Sequence, residues 1–274
     1  MSLKTIRRPA AAGQFYPRDP NTLRVLVDGL IDAAGEVASP EGVSAVVSPH
    51  AGYKYSGATA GHAYARIRGK QPGRVVLLGC SHRYQFPTAS VMTAGLFETP
   101  LGFFPVDEPF AVRFASATGA ISADPHLGEH SLEVQLPFLA RAVGIVPIVP
   151  VLFGSAANDW HAATGELLAT MLDPSDLVVC STDLSHYLDE SSANRIDRHS
   201  IESVLTKDWR SYTEGIRDGS CSMCGAAAVV AAMTCAKARN ANEWQLLDYR
   251  TSAAASGERA RVVGYAAMSM ERAA

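Results

Sequence analysis

The chain has no run of Lys and Arg. Its 24 basic residues are almost balanced by 27 acidic ones, giving a formal net charge of −3. The pI is about 6.2. A nucleic-acid binder neutralises phosphates with a basic stripe, and none is present, so nucleic acid is excluded as a partner. Long hydrophobic runs are also missing. The longest, Gly225–Ala236, is about a dozen residues, short of the roughly 18 that a membrane span needs. The opening MSLKTIRRPA carries no apolar segment of the secretory-signal kind. Cysteines are few, scattered and odd in number, five in 274 residues. That is the usage of a reducing compartment rather than of a disulfide framework. These absences leave the expectation of a cytoplasmic globular protein without a membrane or nucleic-acid role. Its apolar fraction of 47% is ample for a core and argues against disorder.

Short apolar runs alternate with helical stretches. Val43–Ser48, Arg74–Gly79, Ile145–Leu152, Leu177–Cys180, Glu243–Tyr249 and Arg261–Met268 read as strands, mostly short, β-branched and apolar on both faces. Between them Ala58–Ile67, Ser131–Ala142, Asp159–Leu172, Asn194–Thr206 and Cys224–Ala238 read as helices. An earlier helix runs from Thr22 to Gly35, with Asn21 as its cap. Pro147 and Pro150 predict that their strand is an edge or irregular. The alternation predicts an α/β layered fold, and no break in the pattern divides residues 1–274 into more than one domain.

Polar chemistry collects where strands end. VSAVVS runs into Pro49-His50-Ala51-Gly52-Tyr53, RVVLLG into Cys80-Ser81-His82, and LVVC into Ser181-Thr182-Asp183-Leu184-Ser185-His186. In open α/β sheets sites form at the carboxyl ends of strands. If these strands are parallel, His50, His82 and His186 share one edge. Two neutral imidazoles with one anionic ligand make a metal site with open positions. A metal-free histidine pair handling protons is the alternative. Asp183 is placed to orient His186, or else it or Ser181 caps the next helix. Glu129-His130-Ser131 opens a helix, with Ser131 as a cap or His130 at the pocket. Cys221-Ser222-Met223-Cys224 is a lone CxxC, weak as a zinc signal. Cys224 at a helix start would have a lowered pKa and be a good metal ligand.

Together AGQFYP near the start, PHAGYKYSG at 49–57, GCSH at 79–82, EHSLEVQLPFL at 129–139, STDLSHY at 181–187 and CG at 224–225 span almost the whole chain. In this order they resemble the Memo family, the protein B of the AmmeMemoRadiSam system. The resemblance implies a single-domain α/β/α sandwich similar to LigB-type class III ring-cleaving dioxygenases, which use non-haem iron. It implies a metal site of His50, His82 and Cys224, with His186 as acid/base, Asp183 beside it and His130 nearby. The implied cofactor is a metal ion. Thiolate in place of the dioxygenases' carboxylate favours copper over Fe(II), with zinc a further possibility. The implied function is a metal-dependent redox protein, oxygenase-like. A binding adaptor for a peptide or small anion is the alternative, as is an accessory role with AMMECR-type and radical-SAM partners. The chain departs from the family in two places. Cys80 stands where Pro is usual, and Ala226-Ala227-Ala228 follows Cys-Gly, which predicts a smaller, less polar wall. Cys221 is an extra thiol that could pair with Cys224 in a redox couple.

Overall fold

The computed structural model describes residues 5–35 and 39–273; positions 1–4, 36–38 and 274 lie outside it. In chain order the elements are β1 (Ile6–Arg7), α1 (Pro20–Asp32), β2 (Val43–Ser48), α2 (Tyr53–Arg66), β3 (Val75–Cys80), β4 (Phe86–Val91), β5 (Leu96–Thr99), β6 (Gly102–Pro105) and α3 (Glu108–Thr118). Two 3-10 turns, Asp124–His126 and Glu133–Gln135, precede α4 (Leu136–Ala142) and β7 (Ile148–Gly154). Then come α5 (Asp159–Met171), β8 (Leu177–Ser181), β9 (His186–Leu188), α6 (Glu190–Leu205), α7 (Trp209–Asp218), α8 (Ala226–Ala238), β10 (Glu243–Thr251), α9 (Ala253–Ser256) and β11 (Val262–Glu271).

The main sheet has the order β10-β11-β2-β8-β3-β7-β4, with β9 added against β11. Strands β2, β8, β3 and β7 are parallel, and antiparallel strands flank them on both sides. The parallel strands are buried along their full length except at Gly154, as expected for strands covered on both faces. One group of helices, α1, α2 and α4, packs together with α2 on the sheet; another, α5 and α7, packs on α8, which lies against β2, β3, β7 and β8. The expected α/β/α sandwich is therefore the fold. A small second sheet, β1-β5-β6, lies apart from it. Among the described residues no helix is long and apolar enough to cross a membrane.

Several boundaries differ from expectation. Helix α1 is capped by Asp19, whose carboxylate accepts from Thr22 N at 2.8 Å, and not by Asn21. Its buried stripe is Leu23, Val27 and Ile31, each worth about 1.5–3 kcal/mol by burial. Helix α2 begins at Tyr53 rather than Ala58. At Gly61 a Cβ would lie 2.2 Å from the Leu30 carbonyl oxygen, so glycine is what lets α1 and α2 approach. The strand with Pro147 and Pro150 is not an edge: β7 lies between β3 and β4. Its pairing with β4 stops at Val151, so Pro150 removes no bond from that ladder. The hydrophobic pattern had left β4, β5 and β6 unassigned.

Candidate metal centre

Neighbouring registers place the carboxyl ends of three strands side by side. Ser48 is level with Ser181, and Cys180 with both Val47 and Leu78. The loops beyond β2 and β3 therefore bring His50 and His82 together, with ring centroids 5.1 Å apart. Helix α8 returns over the same edge. Gly225 is its N-cap, so Cys224 sits just before the helix rather than in its first turn. A Cβ at Gly225 would meet the Ser181 carbonyl oxygen at 2.7 Å and Thr182 Cβ at 2.8 Å, so glycine is required for Cys224 to come this close to the β8 end. Asp183 N donates to Cys224 Sγ at 3.2 Å, and Cys224 N donates to the Asp183 carbonyl at 3.2 Å.

The donor atoms of His50, Cys80, His82 and Cys224 all lie within 4.8 Å of one another. Cys224 Sγ is 3.2 Å from His50 Nε2, and Cys80 Sγ is 3.6 Å from His82 Nε2. The opposite nitrogen of each ring is committed elsewhere. Ser181 Oγ spends its proton on the Ser131 carbonyl at 2.5 Å, so at His50 Nδ1, 2.9 Å away, it accepts. Glu129 accepts from His82 Nδ1 at 2.9 Å and from His82 N at 2.7 Å. Both rings are thereby fixed with N–H on Nδ1 and with Nε2 turned to the thiols. Metal-ligating histidines are held in this way.

Glu129 was not singled out from the sequence. Its carboxylate also accepts from His130 N and Ser131 N, both at 2.8 Å. These bonds and the His82 ring overcome burial and hold it down at about 2. Ser131 does not cap a helix; its hydroxyl donates to the Cys80 carbonyl at 2.8 Å. His130 lies beside the ligand rings. Its ring stacks on His82 at 4.6 Å and meets His50 edge-on at 5.6 Å. Phe15, from the AGQFYP arm, covers it at 4.6 Å. That arm is tied down by Glu133, fully buried, which accepts from Ala10 N, Ala11 N and Tyr16 Oη and pairs with Arg7.

The charges are unevenly shared. The Cys80 hydrogen bond, helped by His50 and His82 and opposed by burial, holds the Cys224 thiol well below its usual range. The same hydrogen bond and burial hold Cys80 well above it. Burial works against charge on His50, but Cys224 and Asp183 outweigh it and raise the ring to about 9. Hydrogen bonds to Cys224 and Glu129 raise His82 to about 10. Burial and the charge of His50 push His130 down to about 4.

The third strand delivers something other than its histidine. After β8 the backbone turns away, Leu184 N donating to the Gly264 carbonyl. His186 opens β9, half-buried against β11. Its ring lies 5.8 Å from that of Tyr187, and among the described residues it is not one of those whose donor atoms converge with the thiols. Tyr187 is the extra residue of a bulge in that pairing, with φ 64°, a conformation that favours glycine. Asp183 caps no helix; its Oδ1 accepts from His50 N at 2.7 Å, and burial holds its carboxyl above the usual range. Cys221 is not the thiol beside Cys224. It is buried with its Sγ on Ser203 Oγ, and Cys80 fills the place foreseen for it.

A cavity of about 700 Å³ opens beside the thiols, lined by Cys80, Cys224, Phe86, Phe153, Met223 and Ser155 among others. Ala226 and Ala227 form part of its wall. Ser155 Oγ is buried with no hydrogen-bond partner among the described residues.

A family model described as Memo-like protein matches residues 7–269. The chain is 37% identical to a MEMO1 family protein of Methanopyrus kandleri, covering 97% of this chain and 99% of the relative. It is 34% identical to one of Thermotoga petrophila, over 94% of this chain and 97% of that one. An uncharacterized protein from Escherichia coli K12, of known crystal structure, shares the fold with a TM-score of 0.53 and 14% identity. That match covers 82% of this chain and 99% of the other. Motifs, fold and relatives agree over nearly the whole length, and the chain belongs to the Memo-like family.

Proposed function

We propose that this chain is a metal-dependent redox protein, oxygenase-like in chemistry, acting on a small molecule held in the cavity beside Cys80 and Cys224. His50, His82 and Cys224 are the residues that hold the metal. The observation that carries this reading is the pair of imidazoles with Nδ1 tied to Ser181 and Glu129 and Nε2 aimed at the thiols. The donor set fits a soft or borderline cation, copper before iron, with zinc also accommodated. Such a metal, when bound, supplies redox chemistry or Lewis acidity to a ligand at an open position.

The other roles follow from placement. His130 lies against both ligand rings and, lowered to about 4, is neutral at pH 7, so it can accept a proton. Asp183 fixes the His50 backbone, and His186, on β9, is the further acid/base group that the family resemblance implies. Phe86, Phe153 and Met223 exclude water from one part of the cavity, and the unspent Ser155 hydroxyl gives a polar substrate group a partner. The test is metal analysis of the purified protein together with oxygen uptake on catechols. Stoichiometric copper or iron, lost in His50→Ala and Cys224→Ser, is expected. Metal content no higher than in those variants would end this reading.

A further inference from the structure

The structure assigns Cys80 as a fourth protein ligand, so that this chain closes its metal site with two imidazoles and two thiolates. The inference rests on the pocket reading above and extends it to a residue outside the expected set of His50, His82 and Cys224.

Zn–N and Zn–S bonds of about 2.05 and 2.3 Å, at tetrahedral angles, separate nitrogen and sulfur by about 3.6 Å. In the structure the nitrogen–sulfur distances are 3.2 Å for Cys224 with His50 and 3.6 Å for Cys80 with His82. All four donor atoms fall within 4.8 Å of each other, so a small contraction around one centre satisfies them together. The backbone at Cys80 is set in place, because β3 pairs through Cys80 with Phe153 on β7 and Ser131 Oγ holds the Cys80 carbonyl. The side chain is buried, at 9% exposure, and faces the cavity. It therefore stands where an exogenous ligand would otherwise approach the three-residue site.

Two consequences follow. A four-donor set of two nitrogens and two sulfurs selects a d10 cation, Cu(I) or Zn(II), over Fe(II). It leaves an open position only when Cys80 withdraws, so the chemistry proposed above requires that Cys80 be displaced before dioxygen or substrate reaches the metal. On binding, each thiol that still carries a proton releases it to solvent, and no electron is transferred.

The experiment uses the reduced full-length chain loaded with Zn(II), read by X-ray absorption at the zinc edge. Co(II) loading gives an independent readout through its thiolate charge-transfer bands. Wild type is expected to show two sulfur ligands, and Cys80→Ala and Cys80→Ser one. Both variants should lose about half of the cobalt charge-transfer intensity and bind metal at least about 10–100-fold more weakly, the range seen even for lesser perturbations of a site. Circular dichroism should show all three proteins equally folded. One sulfur in wild type, or two in both variants, overturns the role of Cys80 while leaving the pocket reading intact. A Cys80–Cys224 disulfide surviving reduction and metal loading overturns it likewise. No stoichiometric uptake by reduced wild type would overturn the pocket reading as well.

Discussion

His82 and His130 are stacked almost face to face, 4.6 Å apart and 16° from parallel, and Glu129 touches both. Yet their proton affinities part by several orders of magnitude, His82 raised to about 10 and His130 lowered to about 4. Shared surroundings do not explain this. The difference lies in what each ring's remaining nitrogen meets. His82 has the Glu129 carboxylate on one side and the Cys224 thiolate on the other, so both of its N–H groups find negative charge. His130 has Phe15 over its face and two more readily protonated imidazoles against it. One carboxylate thus serves a charged ring and a neutral ring together. A metal would displace the Nε2 proton of His82 and leave His130 free to move protons.

The largest effect should come from removing that carboxylate. Glu129→Gln keeps the shape but loses the charge that fixes the His82 Nδ1 proton. Metal affinity should fall about 10–100-fold. Stability should also drop, by about 1–3 kcal/mol, because the backbone N–H groups of His82, His130 and Ser131 lose a charged acceptor. Calorimetric metal titration and chemical denaturation of the metal-free form measure the two effects. If affinity is unchanged while stability falls, Glu129 is a structural anchor only, and the contrast between the two rings does not arise from it.

That residue shows where sequence reading stops. A glutamate before His130 in Glu129-His130-Ser131 resembles an acid favoured in a first helical turn. The local chain instead wraps its own carboxylate and aims it at His82, 47 residues earlier in sequence. Only the fold reveals this. Strand ends were legible because buried parallel strands are apolar along their length, and β2 and β3 delivered His50 and His82 as that rule requires. The same rule failed for His186, because its position lies beyond the strand and β11 captures the chain into β9. Strands β4 and β6 have mixed exposure without alternation, and β5 alternates over only four residues, too few for its period to be read.

A pH series sharpens the contrast. In chelator-treated protein, His82 should remain protonated through neutral pH while His130 becomes protonated only near pH 4, followed by their ring-proton NMR shifts. The signs for stability are opposite. His82, raised, contributes stability that is complete below its unfolded value of about 6.5 and is lost as pH climbs toward about 10. His130, lowered, costs stability as pH falls from about 6.5 to about 4. His126 is fully buried with Nε2 on the Ser90 carbonyl and is also lowered to about 4, so acid destabilisation has a contribution from outside the site. Two rings titrating together near pH 6.5 would contradict the picture.

The smallest effect tests burial alone. Phe15 covers His130 and belongs to the arm rather than to the charged cluster. Its backbone carbonyl accepts from Tyr53 N, a bond that does not need the aromatic ring. Phe15→Ala should therefore leave the arm docked through Glu133 while letting water reach one face of His130. Desolvation is the largest cause of the His130 shift, so its pKa should rise toward the ordinary value by about one unit or less. His82, whose value is set by Glu129 and Cys224, should not move. Ring-proton titration of the variant reads both at once. A matching change in His82 would mean that the two rings share one environment after all, and that their separation comes from coupling between them rather than from different neighbours.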